Sequence, residues 1–139
     1  MARFFGRFEH SLDDKGRVIL PAKFRPSFER GGFIGPYLDG CLALWTPEEF
    51  ETQMDEMKAR DRAGRDERNL ARVWANNTQE VEIDKRSGRM AIPAYLRDDA
   101  QLTGEVLITG NIDRVELWNP QVWAEKVGPS KQALLEGSG

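Results

Sequence analysis

The stretch of this chain whose residue types and spacing can do the most chemistry is Asp13-Asp14-Lys15-Gly16-Arg17. It reads as a tight turn, because Asp suits the early positions and Gly supplies a positive φ. Two cations, Lys15 and Arg17, flank that Gly. An arginine so placed can fork onto a phosphate or onto the edge of a guanine, and a lysine meets phosphate as a point charge. Asp13 stands four residues before Arg17 and can hold its guanidinium in one rotamer. The same pair also reads as a clasp that only pins the turn, and the two readings are compatible. A second turn, Asp84-Lys85-Arg86-Ser87-Gly88-Arg89, carries the same chemistry with one residue more.

Little else in the chain offers reaction chemistry. It holds one His and one Cys. A nucleophilic site needs a nucleophile, a positioned base and a third group to orient them, and no such set is evident. His10, beside the first turn, reads as a surface or hydrogen-bonded histidine, and Cys41 as a small buried hydrophobe. A zinc site would need several Cys or His at set spacings. No phosphate-cradling Gly loop is present. The adjacent acids Asp13 and Asp14 are more simply turn formers and ion-pair partners. No catalytic residue, metal or cofactor is therefore expected, and the chain does not read as an enzyme.

The elements that must position the two turns are written twice. Gly16-Arg17-Val18-Ile19-Leu20-Pro21-Ala22-Lys23-Phe24-Arg25 recurs as Gly88-Arg89-Met90-Ala91-Ile92-Pro93-Ala94-Tyr95-Leu96-Arg97. Upstream, Leu12-Asp13 answers Ile83-Asp84. Downstream, Leu42-Ala43-Leu44-Trp45-Thr46-Pro47 answers Val115-Glu116-Leu117-Trp118-Asn119-Pro120, and Phe50 answers Trp123. Each copy is one supersecondary unit that cannot bury its apolar face alone. The expected organisation is one pseudo-symmetric domain over residues 1–127, with repeat 1 at about 5–52 and repeat 2 at about 79–124 joined by a helical connector. The Gly- and Ser-containing tail, 128–139, is expected to be disordered.

Within each copy, period-two patterning around Phe8 and Leu12, and around Val81 and Ile83, predicts a strand leading into the turn. Short buried strands follow at 17–20 and 89–92. Pro21 and Pro93 then suit the first turn of a short helix. Leu42/Leu44 and Val115/Leu117 alternate with Ala43 and Glu116 as a further matched strand pair, and 106–108 adds a strand. Thr46-Pro47-Glu48-Glu49 has capping-box spacing, while Asn119-Pro120 offers a cap without the acid. The first long helix, about 47–60, carries Phe50, Met54 and Met57 on one stripe. A second, about 66–75, carries Leu70, Val73 and Trp74 and has no counterpart in the second copy.

Bulk properties fit this picture. A chain of 139 residues, 40% hydrophobic with four Trp and seven Phe, can bury a core as a single domain. No run approaches a membrane span. The first residues lack the apolar run of a signal peptide, and one cysteine makes no intrachain disulfide, so a reducing cytoplasm is expected. Net charge is −3, but the cations are not spread evenly. Arg3, Arg7, Lys15, Arg17, Lys23, Arg25 and Arg30 crowd the first thirty residues. Lys85, Arg86, Arg89 and Arg97 form a second cluster, and the acids concentrate between about 48 and 67. Local patches decide where a phosphate backbone can lie.

Ser11-Leu12-Asp13-Asp14-Lys15-Gly16-Arg17-Val18-Ile19-Leu20-Pro21-Ala22-Lys23-Phe24-Arg25 resembles the signature of the MraZ family of bacterial transcriptional regulators. Its Leu-Asp-x-x-Gly-Arg-x-x-x-Pro core is also similar to the AbrB-type DNA-binding module. The doubled form and the length favour MraZ. The resemblance implies an α+β fold, a swapped-hairpin β-barrel in which the two copies interleave, flanked by helices. It implies double-stranded DNA as partner, at short direct repeats upstream of the division and cell-wall gene cluster, and a ring-like homo-oligomer at the nucleoid. No membrane or small-molecule substrate is expected. The family's Asp-x-x-x-Arg motif falls on Asp13 and Arg17, whereas Asp84 and Arg89 are one residue further apart. Arg17 and Lys15 are thus the leading DNA contacts, supported by Arg3, Arg7, Lys23 and Arg25, with Arg89, Arg86 and Lys85 on the second hairpin expected to matter less. Gly16 and Gly88 shape the turns. The competing reading is a structural ring-forming assembly module, to which the acidic middle and the Met/Phe/Trp helices would contribute contacts.

Overall fold

The computed structural model describes residues 2–137. The first copy supplies β1 (Arg7–Ser11), β2 (Arg17–Ile19), a 3-10 helix (Ala22–Phe28), β3 (Gly32–Pro36) and β4 (Leu42–Trp45). Helices α1 (Pro47–Asp61) and α2 (Arg65–Asn77) lead to the second copy. That copy supplies β5 (Gln79–Val81), β6 (Arg89–Ala91), α3 (Ala94–Asp99), β7 (Glu105–Gly110) and β8 (Val115–Trp118), followed by α4 (Pro120–Lys126) and α5 (Gly128–Leu135). The fold is α+β, as expected.

The copies interleave. A six-stranded antiparallel sheet runs β1-β7-β8-β4-β3-β5, and β2 pairs with β6 in a separate two-stranded ribbon. Exchanging each strand for its repeat partner (β1 for β5, β2 for β6, β3 for β7, β4 for β8) turns the six-strand order into itself. Two self-equivalent pairs mark the pseudo-two-fold axis. In the ribbon Val18 lies opposite Met90, and in the sheet Ala43 lies opposite Glu116. These are the residues that occupy the same place in the two copies, so the extra residue in the second turn is absorbed without disturbing either register.

The main core fills the space between ribbon and sheet. Val18, Leu20 and Phe24 from one copy and Met90, Ile92 and Leu96 from the other pack on Ile34, Leu44, Ile108 and Leu117. Phe4 stands edge-on to Phe24 and stacked on Phe28. The opposite sheet face is covered as well, which is why β4 and β8 are buried along their whole length. Ala43 and Trp45 lie under Phe50 of α1, which stacks between Phe33 and Trp74. Cys41, Leu107 and Trp118 lie under Val122 and Trp123 of α4. Burial pushes the Cys41 thiol well above its ordinary pKa, which leaves it an inert apolar group.

The helix starts follow their caps. The Thr46 hydroxyl accepts from the Glu49 N–H at 3.2 Å with Pro47 in the first turn. The Asn119 carboxamide oxygen accepts from the N–H groups of Gln121 and Val122. The apolar stripe on α1 does not bury as its spacing suggests. Phe50 and Gln53 are buried, while Met54 is exposed, because α1 lies on the sheet only through its first turns. On α2, Ala71 is buried and Leu70 and Val73 face outward.

The tail departs from expectation. Residues 128–135 form α5 rather than a disordered segment, with Pro129 in the first turn and Lys131, Gln132, Ala133, Leu134 and Leu135 all good helix formers. Glycine and serine dominate only at the very end, where residues 138 and 139 of the expected disordered tail, like residue 1 of the expected domain, lie outside the described residues.

Candidate nucleic-acid interface

Each turn is built around its aspartate. The Asp13 N–H donates to the Arg17 carbonyl at 2.8 Å, and the Gly16 N–H donates back to the Asp13 carbonyl at 3.1 Å. The Asp13 Oδ1 accepts from the N–H groups of Lys15 and Arg17 at 2.9 and 2.8 Å, and Oδ2 accepts from the Arg17 Nε at 2.8 Å. One carboxylate therefore both folds the turn and holds the arginine. Its terminal guanidinium nitrogens make no hydrogen bond among the described residues. The Arg17 N–H, first among these donors, holds the Asp13 carboxyl below the usual carboxylate range.

The second turn has the same backbone frame and different side-chain wiring. The Asp84 N–H donates to the Arg89 carbonyl and the Gly88 N–H to the Asp84 carbonyl. The Asp84 carboxylate, however, accepts from the Ser87 N–H and hydroxyl, each at 2.8 Å, and not from the Arg89 side chain. An Asp84–Arg89 clasp like that of the first turn is thus not formed. The extra residue brings Ser87 into the place of the guanidinium, and the Arg89 side chain makes no hydrogen bond among the described residues.

The ribbon sets the two arginines side by side. Val18 and Met90 point into the core, so their neighbours point out. Arg17 lies opposite Ala91, and Ile19 lies opposite Arg89. Arg17 and Arg89 are therefore diagonal neighbours on one outer face, with the half-exposed Ile19 between them. This face borders a broad open groove of about 1720 Å³. Cations along the groove are Arg17, Arg30, Lys85, Arg86, Arg89 and Arg97, interspersed with Glu29, Glu80, Glu82 and Asp84.

The other expected contacts stand elsewhere. Arg7 lies over the Trp123 ring of α4, 4.5 Å from its centroid. The Lys23 ammonium lies near the rings of Phe8 and Phe24. Arg3 is exposed but does not line the groove, and neither does Lys15, which projects from the turn itself. Arg25 is half-buried and its Nε donates to the Leu20 carbonyl at 2.9 Å. Arg30 and Arg97 line the groove as well, cations that no turn motif in the sequence marks as contacts, although Arg97 stands at the repeat position of Arg25. His10, on β1, is held below its ordinary pKa by burial and by the nearby Arg25 charge.

Comparison with known proteins decides the family. The family model described as "MraZ protein, putative antitoxin-like" matches residues 4–73 and 75–133. The chain belongs to the MraZ family. A relative from Heliobacterium modesticaldum named "Transcriptional regulator MraZ" is 35% identical over 136 residues, covering 96% of this chain and 94% of the relative. Proteins of the same name from Caldanaerobacter subterraneus subsp. tengcongensis and a Thermoanaerobacter species are 36% and 38% identical over 120 residues, each covering 86% of this chain and 83% of the relative. The two matched segments of the MraZ model follow the two copies, and the strand exchange between them is the tandem swapped-hairpin arrangement. Among the described residues no helix is long and apolar enough to cross a membrane.

Proposed function

We propose that this MraZ-family protein is a sequence-specific DNA-binding transcriptional regulator, acting without cofactor or catalysis in the cytoplasm at the nucleoid. The observation that carries the proposal is the ribbon register, which aligns Arg17 and Arg89 from the two repeats on one outer face. A two-stranded ribbon fits the major groove, where each arginine can fork onto a guanine edge. Lys15, and Lys85 with Arg86, then lie on the flanking turns, placed for phosphate. Arg17 is the stronger contact, since Asp13 holds it ready, while Arg89 must be ordered on binding. Arg3, Arg7 and Lys23 contribute less.

One ribbon is small for tight specific binding. A homo-oligomeric ring that presents several ribbons to several direct repeats, about one helical turn apart, would multiply weak contacts through effective concentration. The target proposed is DNA upstream of the division and cell-wall gene cluster. A second reading, a ring-forming assembly module without specific DNA binding, draws on the exposed Leu70 and Val73 of α2 and Leu134 and Leu135 of α5. Fluorescence anisotropy with duplexes carrying one to four repeats, beside scrambled controls, separates the two. Affinity that rises with repeat number on the native duplex alone supports the regulator. Equal, weak binding to all duplexes supports the assembly module.

A further inference from the structure

A side chain from each repeat lies beneath the turn of the other. Gly16 and Gly88 both have positive φ, +73° and +75°. At each, a methyl group on the α-carbon would collide with a guanidinium, that of Arg97 under Gly16 and that of Arg25 under Gly88. Both guanidiniums are anchored. The Arg97 Nε donates to the Ile92 carbonyl and the Arg25 Nε to the Leu20 carbonyl, each at 2.9 Å. The anchoring residues bond to the same turns, because the Ile92 N–H donates to the Gly16 carbonyl and the Leu20 N–H to the Gly88 carbonyl. The arrangement occurs twice, related by the pseudo-two-fold axis, and each time it crosses from one repeat to the other.

We propose that Arg97 and Arg25 are crossed positioning residues. Arg97, on α3 of the second copy, sets the conformation of the Lys15-Gly16-Arg17 turn, and Arg25, of the first copy, sets that of Ser87-Gly88-Arg89. The inference rests on the reading of the ribbon as the DNA-binding face. A planar guanidinium fixed through Nε forms a flat, stiff floor for a glycine whose missing side chain allows close approach. A lysine has the charge without the plane or the Nε donor. A turn fixed before DNA arrives has less ordering to undergo on binding. These two arginines therefore act through the turns and not by meeting DNA themselves, and damage in one repeat is felt in the contacts of the other.

The test uses the full chain and charge-preserving variants. In amide NMR spectra without DNA, Arg97→Lys is expected to shift Lys15, Gly16 and Arg17 and to leave Ser87, Gly88 and Arg89 in place. Arg25→Lys is expected to do the reverse. Shifts confined to the variant's own turn, or none, overturn the proposal. If Arg97→Lys does not give a folded spectrum, Arg97→Met keeps the packing of the stem and is used instead. By anisotropy, Arg97→Lys should weaken specific DNA binding about two- to tenfold, the range for ordering one interface element. Added to Arg17→Ala it should cost less than it costs alone, since only Lys15 is left for the turn to position, and added to Arg89→Ala it should multiply the loss in full. Multiplication with Arg17→Ala instead would make Arg97 an independent contact and overturn the positioning role. If Arg17→Ala itself leaves binding unchanged, the DNA-binding reading of the ribbon fails, while the spectra still decide the crossed contact.

Discussion

Replacing Asp13 with asparagine separates the two tasks of its carboxylate. Oδ1 accepts the N–H groups of Lys15 and Arg17, and an amide oxygen can do the same. Oδ2 accepts from the Arg17 Nε, and there the variant puts an amide nitrogen, a donor facing a donor. The turn should persist while the guanidinium goes free. Specific binding must then order a long side chain that the native protein already holds, which weakens operator affinity about two- to tenfold. The variant also loses a negative charge beside two cations, so attraction to any phosphate backbone stays the same or grows. The expected signature is a fall in the ratio of operator to scrambled affinity, measured by anisotropy at two salt concentrations, with near-native affinity for scrambled DNA. An unchanged ratio would leave Asp13 as a turn former only. Equal weakening on both duplexes would show that the turn itself had failed.

Three further outcomes are expected. Lys15→Ala should reduce the slope of log K against log salt by about one, as for a single lost phosphate contact, and an unchanged slope would place Lys15 off the DNA. Glu116 is 4% exposed and accepts from the Arg114 Nε at 2.8 Å and the Trp118 Nε1 at 3.0 Å. Glu116→Ala leaves the Trp118 Nε1 without its acceptor and the Arg114 guanidinium with Asp113 as its remaining carboxylate, and should destabilise the fold by about 2 kcal/mol in urea unfolding. A loss within experimental error would mean that water replaces the carboxylate. The lowered His10 pKa means that the unfolded chain takes up a proton first as the solution is acidified. Stability should therefore fall as pH drops through the ordinary histidine range, roughly pH 7 to 5, and His10→Gln should flatten that part of the thermal-unfolding profile. A parallel decline in the variant would assign the acid sensitivity to other groups.

The parts of the fold legible in the sequence are those fixed by local chemistry or by repetition. Asp13, Gly16 and Arg17 announce their turn because few residue types serve those positions. The doubled Gly-Arg-x-x-x-Pro stretch announces pseudo-symmetry because identity at matched spacing needs matched geometry. Thr46-Pro47 and Asn119-Pro120 mark helix starts through their own side chains. What spacing could not give is what lies opposite. Ser87 takes the carboxylate of Asp84 only because one added residue swings it there. Arg25 reads as a surface cation until the other repeat brings Gly88 onto it. Glu116 reads as the solvent side of an alternating strand, yet Arg114 and Trp118 enclose it. Met54, Leu70 and Val73 have helical spacing, and spacing does not say whether a second layer covers them.

The proposed reading puts DNA recognition on the outer face of the β2–β6 ribbon and not on the N-terminal cations. The most direct measurement compares two double variants, each losing two positive charges: Arg17→Ala/Arg89→Ala and Arg3→Ala/Arg7→Ala. Both are titrated on the native upstream duplex and on its scrambled control, with circular dichroism to verify folding. The ribbon variant should lose its preference for the native duplex, while the N-terminal variant should keep that preference at somewhat reduced affinity. Preference retained by the ribbon variant and lost by the N-terminal one would contradict that reading.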